Sequence, residues 1–164
     1  MNNRLPWRIG IGFDAHRLKK GRKLMLGGTE IPSAYGLAGH SDADVLLHAL
    51  IDGLLGALAL PDIGQQFPDT DPAFRNADSR QLLKTVLRMV RQKGYRLLQL
   101  DSTLVTDRPK LASHIPDIRQ NLARLLKIPE NRIGIKAKTT EGTRLALPEK
   151  SISALVTVLL RAVK

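Results

Sequence analysis

The sequence predicts a single α+β domain in which helices pack on one face of a mixed β-sheet. Two apolar spacings alternate along its 164 residues: every second position, typical of strands, and every third or fourth, typical of helices. Their order is strand, hairpin, helix, loop, helix, strand, helix, strand, strand. No repeat, low-complexity tract or linker interrupts it. We therefore expect one domain over residues 1–164, with residues 1–7 as a short N-terminal extension.

The first elements are a strand over Arg8–Phe13 and a hairpin. The strand contains a Gly-Ile-Gly sequence that formally matches the dinucleotide-binding fingerprint. The polar segment 16–21 that follows does not open an amphipathic helix, so the context argues against that function. Lys23–Leu26 and Thr29–Ile31 flank Gly27-Gly28, which predicts a hairpin with a type I′ or II′ turn.

The first long helix is predicted from about Asp42 to about Ala59. Ser41 is a good N-cap, and carboxylates such as Asp44 in the first turn favour the positive end of the helix dipole. His48 and Asp52 lie on one stripe of this apolar helix. Asp52 either orients a neighbouring ligand or is a solvated carboxylate.

Residues 61–72 are rich in proline and carboxylates and show no period, which is typical of a functional or mobile loop. The final segment also fits a helix, but its β-branched residues favour a strand. The predicted later elements are a helix from Asp78-Ser79 to Lys93, a strand over Tyr95–Val105, a helix over Ile115–Leu126, a strand over Arg132–Lys138 and a strand over Ser151–Val163.

Composition limits the class of protein. The net charge is +11, but the basic residues are scattered along amphipathic helices and only two Tyr and one Trp are available for base stacking. Solvated helix faces therefore explain the charge better than a nucleic-acid partner. Cysteine is absent, which excludes disulfides and thiolate ligands. Without an apolar leader or an 18-residue apolar run, we expect a cytoplasmic protein with no membrane partner.

Three polar residues predict a metal site. Asp14 and His16 are two apart at the end of a strand, so both point to one side of it. His48 lies on an apolar helix and needs a polar partner. A lone histidine there is more often a core residue, and the Asp-x-His sequence favours a ligand. Two histidines and an aspartate make a three-ligand zinc site with an open fourth position.

Several motifs together resemble one enzyme family. Their order and spacing are those of the 2-C-methyl-D-erythritol 2,4-cyclodiphosphate synthases of the non-mevalonate isoprenoid pathway, from Arg8 almost to the C-terminus. The motifs are Gly12–His16, His40–Asp44 with His48, Asp62–Gly64 with Phe67–Asp71, and Lys136–Glu141.

The resemblance implies a reaction and an assembly. The substrate would be 4-diphosphocytidyl-2-C-methyl-D-erythritol 2-phosphate, whose 2-phosphate attacks the β-phosphorus so that CMP leaves and a cyclic diphosphate forms. Members of the family are homotrimers with sites at subunit interfaces. Each site uses one Zn²⁺ and a second divalent cation, Mg²⁺ or Mn²⁺.

The resemblance also assigns residues. Zinc would be held by Asp14, His16 and His48, and magnesium by Glu141. His40 and Thr139 would stabilise the transition state. Thr106–Ala112 would bind the cytidine, and the loop Asp62–Asp71 would close over the methylerythritol. The implied substrate-binding residues are Asp14, His16, His40, Ser41, Asp62, Ile63, Gly64, Phe67, Pro68, Asp69, Thr70, Asp71, Thr106, Asp107, Arg108, Pro109, Lys110, Leu111, Ala112, Lys138, Thr139, Thr140 and Glu141.

The sequence departs from the family at two places. Lys138 stands where many members have threonine, and Arg144–Ser151 replaces a glycine-rich run. Pro148 takes the place of the phosphate-binding arginine of that run, so the isoprenoid diphosphate binding of some members is not implied for this chain.

Two other classes are compatible with the residues alone. A zinc phosphohydrolase would use the same ligands with water as nucleophile and release inorganic phosphate. A basic nucleic-acid-binding module would explain the charge without metal chemistry, and its binding would depend on salt but not on chelators.

Overall fold

The computed structural model describes residues 5–39, 41–68, 70–71, 78–141 and 151–163, and all structural statements below concern these residues. None of the helices in this part of the chain has the length and apolar content needed to cross a membrane. The strands are β1 (Trp7–Lys20), β2 (Leu24–Leu26), β3 (Thr29–Ile31), β4 (Tyr35–Leu37), β5 (Tyr95–Val105), β6 (Ile133–Lys138) and β7 (Ser151–Ala162). The helices are α1 (Val45–Ala57), α2 (Ile63–Gln66), α3 (Ser79–Gln92) and α4 (Ile115–Leu126), with 3₁₀ turns at Ala112–His114 and Glu130–Arg132.

A five-stranded sheet in the order β4-β1-β7-β5-β6 forms the centre of the fold. β5 and β6 run parallel, and the other neighbouring strands run antiparallel. The strands β2 and β3 form a separate antiparallel hairpin. The predicted α+β domain with a mixed sheet is therefore confirmed.

Periodicity predicted several elements closely. β5 and α4 have the predicted bounds, and the C-terminal segment is a strand, as its β-branched residues indicated. The hairpin is confirmed, with φ of +62° at Gly27 and +74° at Gly28. Positive φ at both central residues is what a type I′ turn requires, and glycine adopts it without a steric penalty.

The first strand is longer than predicted. β1 continues from Phe13 through the polar residues to Lys20, because β7 pairs with it as far as Arg17 and the unpredicted β4 pairs with Leu18–Lys20. Pairing with these two strands supplies hydrogen-bond partners for the backbone N–H and C=O groups in this polar half of the strand. Asp14 and His16 therefore lie within a strand, not at its end.

The start of α1 and the predicted loop after it also differ from expectation. Asp44, not Ser41, is the N-cap of α1, and its side chain accepts a hydrogen bond from Leu47 N at 3.0 Å. The predicted loop contains the one-turn helix α2, whose N-cap is Asp62. Short polar segments of this kind are set by capping contacts, which apolar periodicity does not report.

Two glycines let α1 lie directly on β1. A Cβ added to Gly10 would stand 1.9 Å from the carbonyl oxygen of Gly53, and one added to Gly12 would stand 1.9 Å from that of Ala49. The Gly-Ile-Gly sequence therefore serves helix–strand packing and not phosphate binding. Asp14 continues the same face of β1, so the close approach brings the start of α1 over it.

The opposite face of the sheet carries apolar side chains into solvent. Ile9 is 71% exposed, Ile11 65% and Phe13 56%, and Leu155 of the neighbouring strand β7 is 43% exposed. The helices cover only the other face, where residues such as Val156 are fully buried. One chain by itself leaves an apolar sheet surface uncovered.

Candidate metal and substrate site

Asp14, His16 and His48 converge in the structure. Oδ2 of Asp14 lies 2.9 Å from Nε2 of His16 and 3.0 Å from Nδ1 of His48, and these two nitrogens are 3.2 Å apart. The three donor atoms could therefore hold one metal ion. The side chains keep 25%, 22% and 12% of their surface exposed, so solvent reaches the cluster. One carboxylate oxygen and two imidazole nitrogens suit a divalent transition metal.

The electrostatics of the cluster favour a charged carboxylate. Burial opposes ionisation of Asp14, but hydrogen bonds and positive charge from His16 and His48 outweigh it and hold the pKa of its carboxyl well below the usual value. Burial likewise opposes charging of His48, yet the hydrogen bond and charge of Asp14 raise the pKa of this imidazole. A cation therefore meets an anionic acceptor that is already formed.

Two residues beside His48 were missed by sequence reasoning. The hydroxyl of Ser79, at the start of α3, lies 2.9 Å from Nε2 of His48 and donates to Oδ1 of Asp42. The backbone N–H of Ser79 donates to the other Asp42 oxygen at 3.3 Å. The sequence indicates Ser79 only as part of a helix start, and Asp42 only as the predicted first residue of the long helix. Nothing in the local pattern could connect residues so far apart in the chain.

The segment before α1 is held by an arginine to which no sequence pattern assigns a role. Arg22 donates from Nη1 to Gly39 O at 2.9 Å and from Nη2 to Ser41 O at 2.8 Å. The hydroxyl of Ser41 accepts from Ala43 N at 3.0 Å and lies 3.3 Å from Nε2 of His48. Ser41 is thus fixed at the edge of the cluster. The predicted residue His40 lies outside the described residues.

Asp44 is buried but is not a metal ligand in this arrangement. Besides capping α1, it accepts hydrogen bonds from Gly27 N at 2.9 Å and Gly28 N at 2.6 Å. Burial raises the pKa of its carboxyl despite these backbone donors. Its contacts join the hairpin turn to the helix that carries His48.

Asp52 anchors the next segment of the predicted site. Its Oδ1 accepts a hydrogen bond from Ile63 N at 2.7 Å, and burial raises the pKa of its carboxyl. It therefore neither orients a metal ligand nor stands free in solvent. Because Asp52 is one turn beyond His48, it holds α2 beside the cluster. Asp62 caps α2 by accepting a hydrogen bond from Gln65 N at 2.9 Å.

The remaining predicted residues of this segment have different positions. Phe67 packs partly buried against the core, whereas Thr70 and Asp71 are exposed. Asp69 lies outside the described residues.

A second cluster joins the turn after β5 to the end of β6. Asp107 accepts two hydrogen bonds from Thr140, each of 2.8 Å, one from the backbone N–H and one from the hydroxyl. These bonds lower the pKa of the Asp107 carboxyl. Thr106 N donates to Lys138 O at 2.9 Å, and the hydroxyl of Thr139 donates to the Glu141 carboxylate. The predicted cytidine turn and the predicted phosphate and magnesium residues are therefore adjacent.

Within that turn, the hydroxyl of Thr106 donates to Arg108 O at 2.7 Å, and the peptide bond before Pro109 is cis. Leu111 is buried under the turn, and Ala112 is exposed at the start of a 3₁₀ helix. The turn is thus anchored at its base. Of the divergent run Arg144–Ser151, residues 144–150 lie outside the described residues.

The two clusters do not meet within one chain. Ala15 and Val105 pair with opposite sides of Ser153, which separates them by roughly 10 Å, two strand spacings. Lys138 pairs with Val105 one strand further on, roughly 14 Å from Ala15. Both clusters lie at the same end of the sheet with β7 between them.

Comparisons with known proteins agree over most of the chain. The model of the YgbB family matches residues 7–161. The chain is 52% identical over 153 residues to the 2-C-methyl-D-erythritol 2,4-cyclodiphosphate synthase of Syntrophomonas wolfei and 55% identical over 153 residues to that of Geobacter metallireducens. Each alignment covers 93% of this chain and 98% of the relative.

Solved structures show the same similarity. A CDP-bound form of a 2-C-methyl-D-erythritol 2,4-cyclodiphosphate synthase superposes with a TM-score of 0.87 at 46% identity, covering 93% of this chain and 99% of that one. The CDP complex of the Plasmodium falciparum protein IspF gives a TM-score of 0.83 at 30% identity, with 96% and 97% coverage.

Proposed function

This chain belongs to the YgbB family of 2-C-methyl-D-erythritol 2,4-cyclodiphosphate synthases, and we propose how its own residues divide the work of that enzyme. It is a lyase of isoprenoid biosynthesis that forms the cyclic diphosphate and releases CMP. The comparisons favour neither a zinc phosphohydrolase nor a nucleic-acid-binding module. A cytoplasmic location stays part of the proposal, supported by the biosynthetic role of the relatives.

We propose Zn²⁺ as the ion of the cluster formed by Asp14, His16 and His48. Two imidazole nitrogens and one carboxylate oxygen are a common zinc ligand set that leaves a position for substrate. When bound, zinc supplies Lewis acidity toward a diphosphate oxygen. Glu141 offers the hard oxygen donor that suits Mg²⁺ or Mn²⁺.

The residues of the chain position the substrate and neutralise its negative charge, and they do not need to supply a strong base. The attacking 2-phosphate of the substrate is already an anion, so alignment with the β-phosphorus and stabilisation of charge are the main requirements. We assign transition-state stabilisation to His40 and Thr139. Lys138, which ends β6 beside Thr139, brings a positive charge that many members of the family lack at this position.

The second cluster is proposed to bind the cytidine diphosphate part of the substrate. The turn Thr106–Ala112 presents backbone groups next to Thr139 and Thr140, and Asp107 holds the two segments together. Similarity to a synthase solved with bound CDP supports this assignment. The segment Asp62–Asp71, anchored through Asp52, is proposed to close over the methylerythritol.

The separation of the two clusters carries the proposal that the site is shared between subunits. A substrate that must reach both the metal cluster and the cytidine turn is best served when neighbouring chains each contribute one cluster. The exposed apolar face of β1, with Ile9, Ile11 and Phe13, supplies a surface that association would bury. A cyclic homotrimer covers such a face without leaving an open end.

Product analysis tests the reaction itself. The purified protein is incubated with the diphosphocytidyl substrate, with and without zinc, and followed by phosphorus NMR. We expect CMP and a cyclic diphosphate only when zinc is present. Release of inorganic phosphate without cyclisation would instead identify a phosphohydrolase.

Mixed oligomers test the shared site. A chain with His48→Ala keeps its cytidine turn, and a chain with a bulky insertion at Ala112 keeps its metal ligands. Co-refolding of equal amounts should restore activity at about a quarter of the sites, because half of the chains supply each intact half at random. If mixed trimers form and remain as inactive as their parents, each site is built within one chain.

A further inference from the structure

The imidazole of His48 has a partner at each nitrogen. Nδ1 faces Asp14 at 3.0 Å, within the metal cluster. Nε2 faces away from the cluster toward the hydroxyl of Ser79 at 2.9 Å. Ser79 is completely buried at the first residue of α3. This side of the histidine takes no part in the reaction as described so far.

The direction of the hydrogen bonds follows from counting protons. The hydroxyl of Ser79 has one proton and donates it to Oδ1 of Asp42. Toward His48 it can therefore only accept, which requires a proton on Nε2. When a metal ion takes the place of the proton between Nδ1 and Asp14, the neutral imidazole keeps its one N–H on Nε2, and Nδ1 would present its lone pair to the ion. Ser41 lies farther from Nε2, at 3.3 Å, so the shorter contact with Ser79 sets the direction.

We propose that Ser79 and Asp42 are positioning residues that hold His48 in the tautomer and orientation in which Nδ1 binds the metal. This inference rests on the proposed metal site. Carboxylate and hydroxyl groups behind a ligating histidine fix its ring and raise its basicity. The start of α3 thus becomes part of the support of the metal centre.

A purely structural role explains the arrangement less well. Asp78 already caps α3 by accepting from Arg80 N at 2.9 Å, so the helix start does not need the hydroxyl of Ser79. The backbone N–H of Ser79 also binds Asp42 independently of that hydroxyl. The hydroxyl itself is the group that connects Asp42 to His48.

The test measures zinc affinity of the full chain by competition with a chromophoric chelator. Ser79→Ala should weaken zinc binding about 10- to 100-fold while the fold is retained. Ser102→Ala is the matched control, because Ser102 is equally buried and donates to Gly134 O at 2.9 Å, within the sheet. We expect Ser102→Ala to keep the wild-type zinc affinity.

Nitrogen-15 NMR of the histidine side chains gives a readout independent of activity. In the wild type, His48 should show a protonated Nε2 and, with zinc, a metal-bound Nδ1. Ser79→Ala should lose the preference for that tautomer, and Ser79→Thr, which keeps a hydroxyl, should recover both the tautomer and the affinity. Asp42→Ala should weaken zinc binding as well. The double variant with Asp42→Ala and Ser79→Ala should bind zinc only slightly more weakly than either single variant, because Asp42 acts on His48 through Ser79.

The results separate this inference from the metal assignment. Undiminished zinc binding in His48→Ala would overturn the metal site itself. If wild-type zinc is bound through Nδ1 of His48 but Ser79→Ala and Asp42→Ala keep wild-type affinity and tautomer, only the positioning role is wrong. An equal loss of affinity in Ser102→Ala would also overturn it, since general destabilisation would then explain the effect.

Discussion

The metal cluster and the proposed cytidine turn are built in opposite ways. Asp14 and His16 stand on β1, and His48 stands on α1, most of whose residues are buried. Ser79, which contacts His48 from behind, is fully buried. The proposed cytidine side consists of turns at the strand ends, held mainly by hydrogen bonds between the half-buried residues Asp107 and Thr140. Metal coordination needs sub-ångström placement, which a packed core provides. A nucleotide pocket needs access, and its remaining wall is proposed to come from a neighbouring chain.

The variant with the largest expected effect removes a ligand from the metal cluster and leaves the proposed cytidine turn intact. His48→Ala should remove zinc and nearly all turnover while the fold survives, because only two ligands remain. Zinc content is measured by metal analysis, turnover by CMP release and the cytidine side by CDP titration. His114→Ala is the control histidine. One zinc per chain in His48→Ala would disprove the assignment.

The next effect tests whether core packing sets the metal geometry. Gly12→Ala would force its Cβ into the carbonyl oxygen of Ala49, and we expect a loss of about 3 kcal/mol in the free energy of unfolding. Zinc affinity should fall with it, since α1 shifts relative to β1. Denaturant unfolding and chelator competition measure the two quantities.

Gly56→Ala is the matched control for this experiment. Gly56 lies in α1, the helix that packs on Gly12, and an added Cβ would find only an ordinary contact with Ile11 O at 3.7 Å. We expect a stability gain of up to about 1 kcal/mol and unchanged zinc affinity. Equal losses in the two variants would show that α1 is not seated on Gly12.

A smaller effect is expected on the cytidine side. Asp107→Ala removes the acceptor of both hydrogen bonds from Thr140, so the cytidine turn and the phosphate segment should separate. We expect about a tenfold rise in KM with unchanged zinc affinity. Asp117→Ala removes an exposed carboxylate in the first turn of α4 and should leave KM unaltered. Altered zinc affinity in Asp107→Ala would contradict the independence of the two regions.

The smallest effect concerns α2, which is anchored to α1 through Asp52. Asp52→Ala removes the acceptor for Ile63 N and should speed hydrogen exchange of that amide about fivefold, whereas Asp52→Asn keeps an oxygen acceptor and should change it little. In the wild type, substrate should slow exchange over the predicted loop Asp62–Asp71. Identical protection with and without substrate would make this segment a static structural element.

Local patterns were sufficient for elements whose faces are set by burial. Tyr95–Val105 alternates on both sides of a bulge between Leu97 and Gln99, because one face of β5 is covered by helices. The bounds of α4 follow from its apolar stripe. The same reasoning failed for the polar half of β1 and for β4, where pairing between strands takes the place of apolar patterning. Local patterns also predicted Ser41 as the cap of α1 in place of Asp44. The position of Asp44 depends on hydrogen bonds from two amides of a hairpin turn that is distant in the sequence.

The sequence by itself determined the fold class and the set Asp14, His16 and His48, because strand alternation and helix periodicity place those side chains on predictable faces. Only the tertiary structure decided that Ser79 and Asp42 stand behind His48, and that Asp52 anchors α2. Hydrogen bonds between residues more than ten positions apart depend on how whole elements pack, and packing here depends on the glycine contacts that seat α1 on β1. No local pattern contains that information.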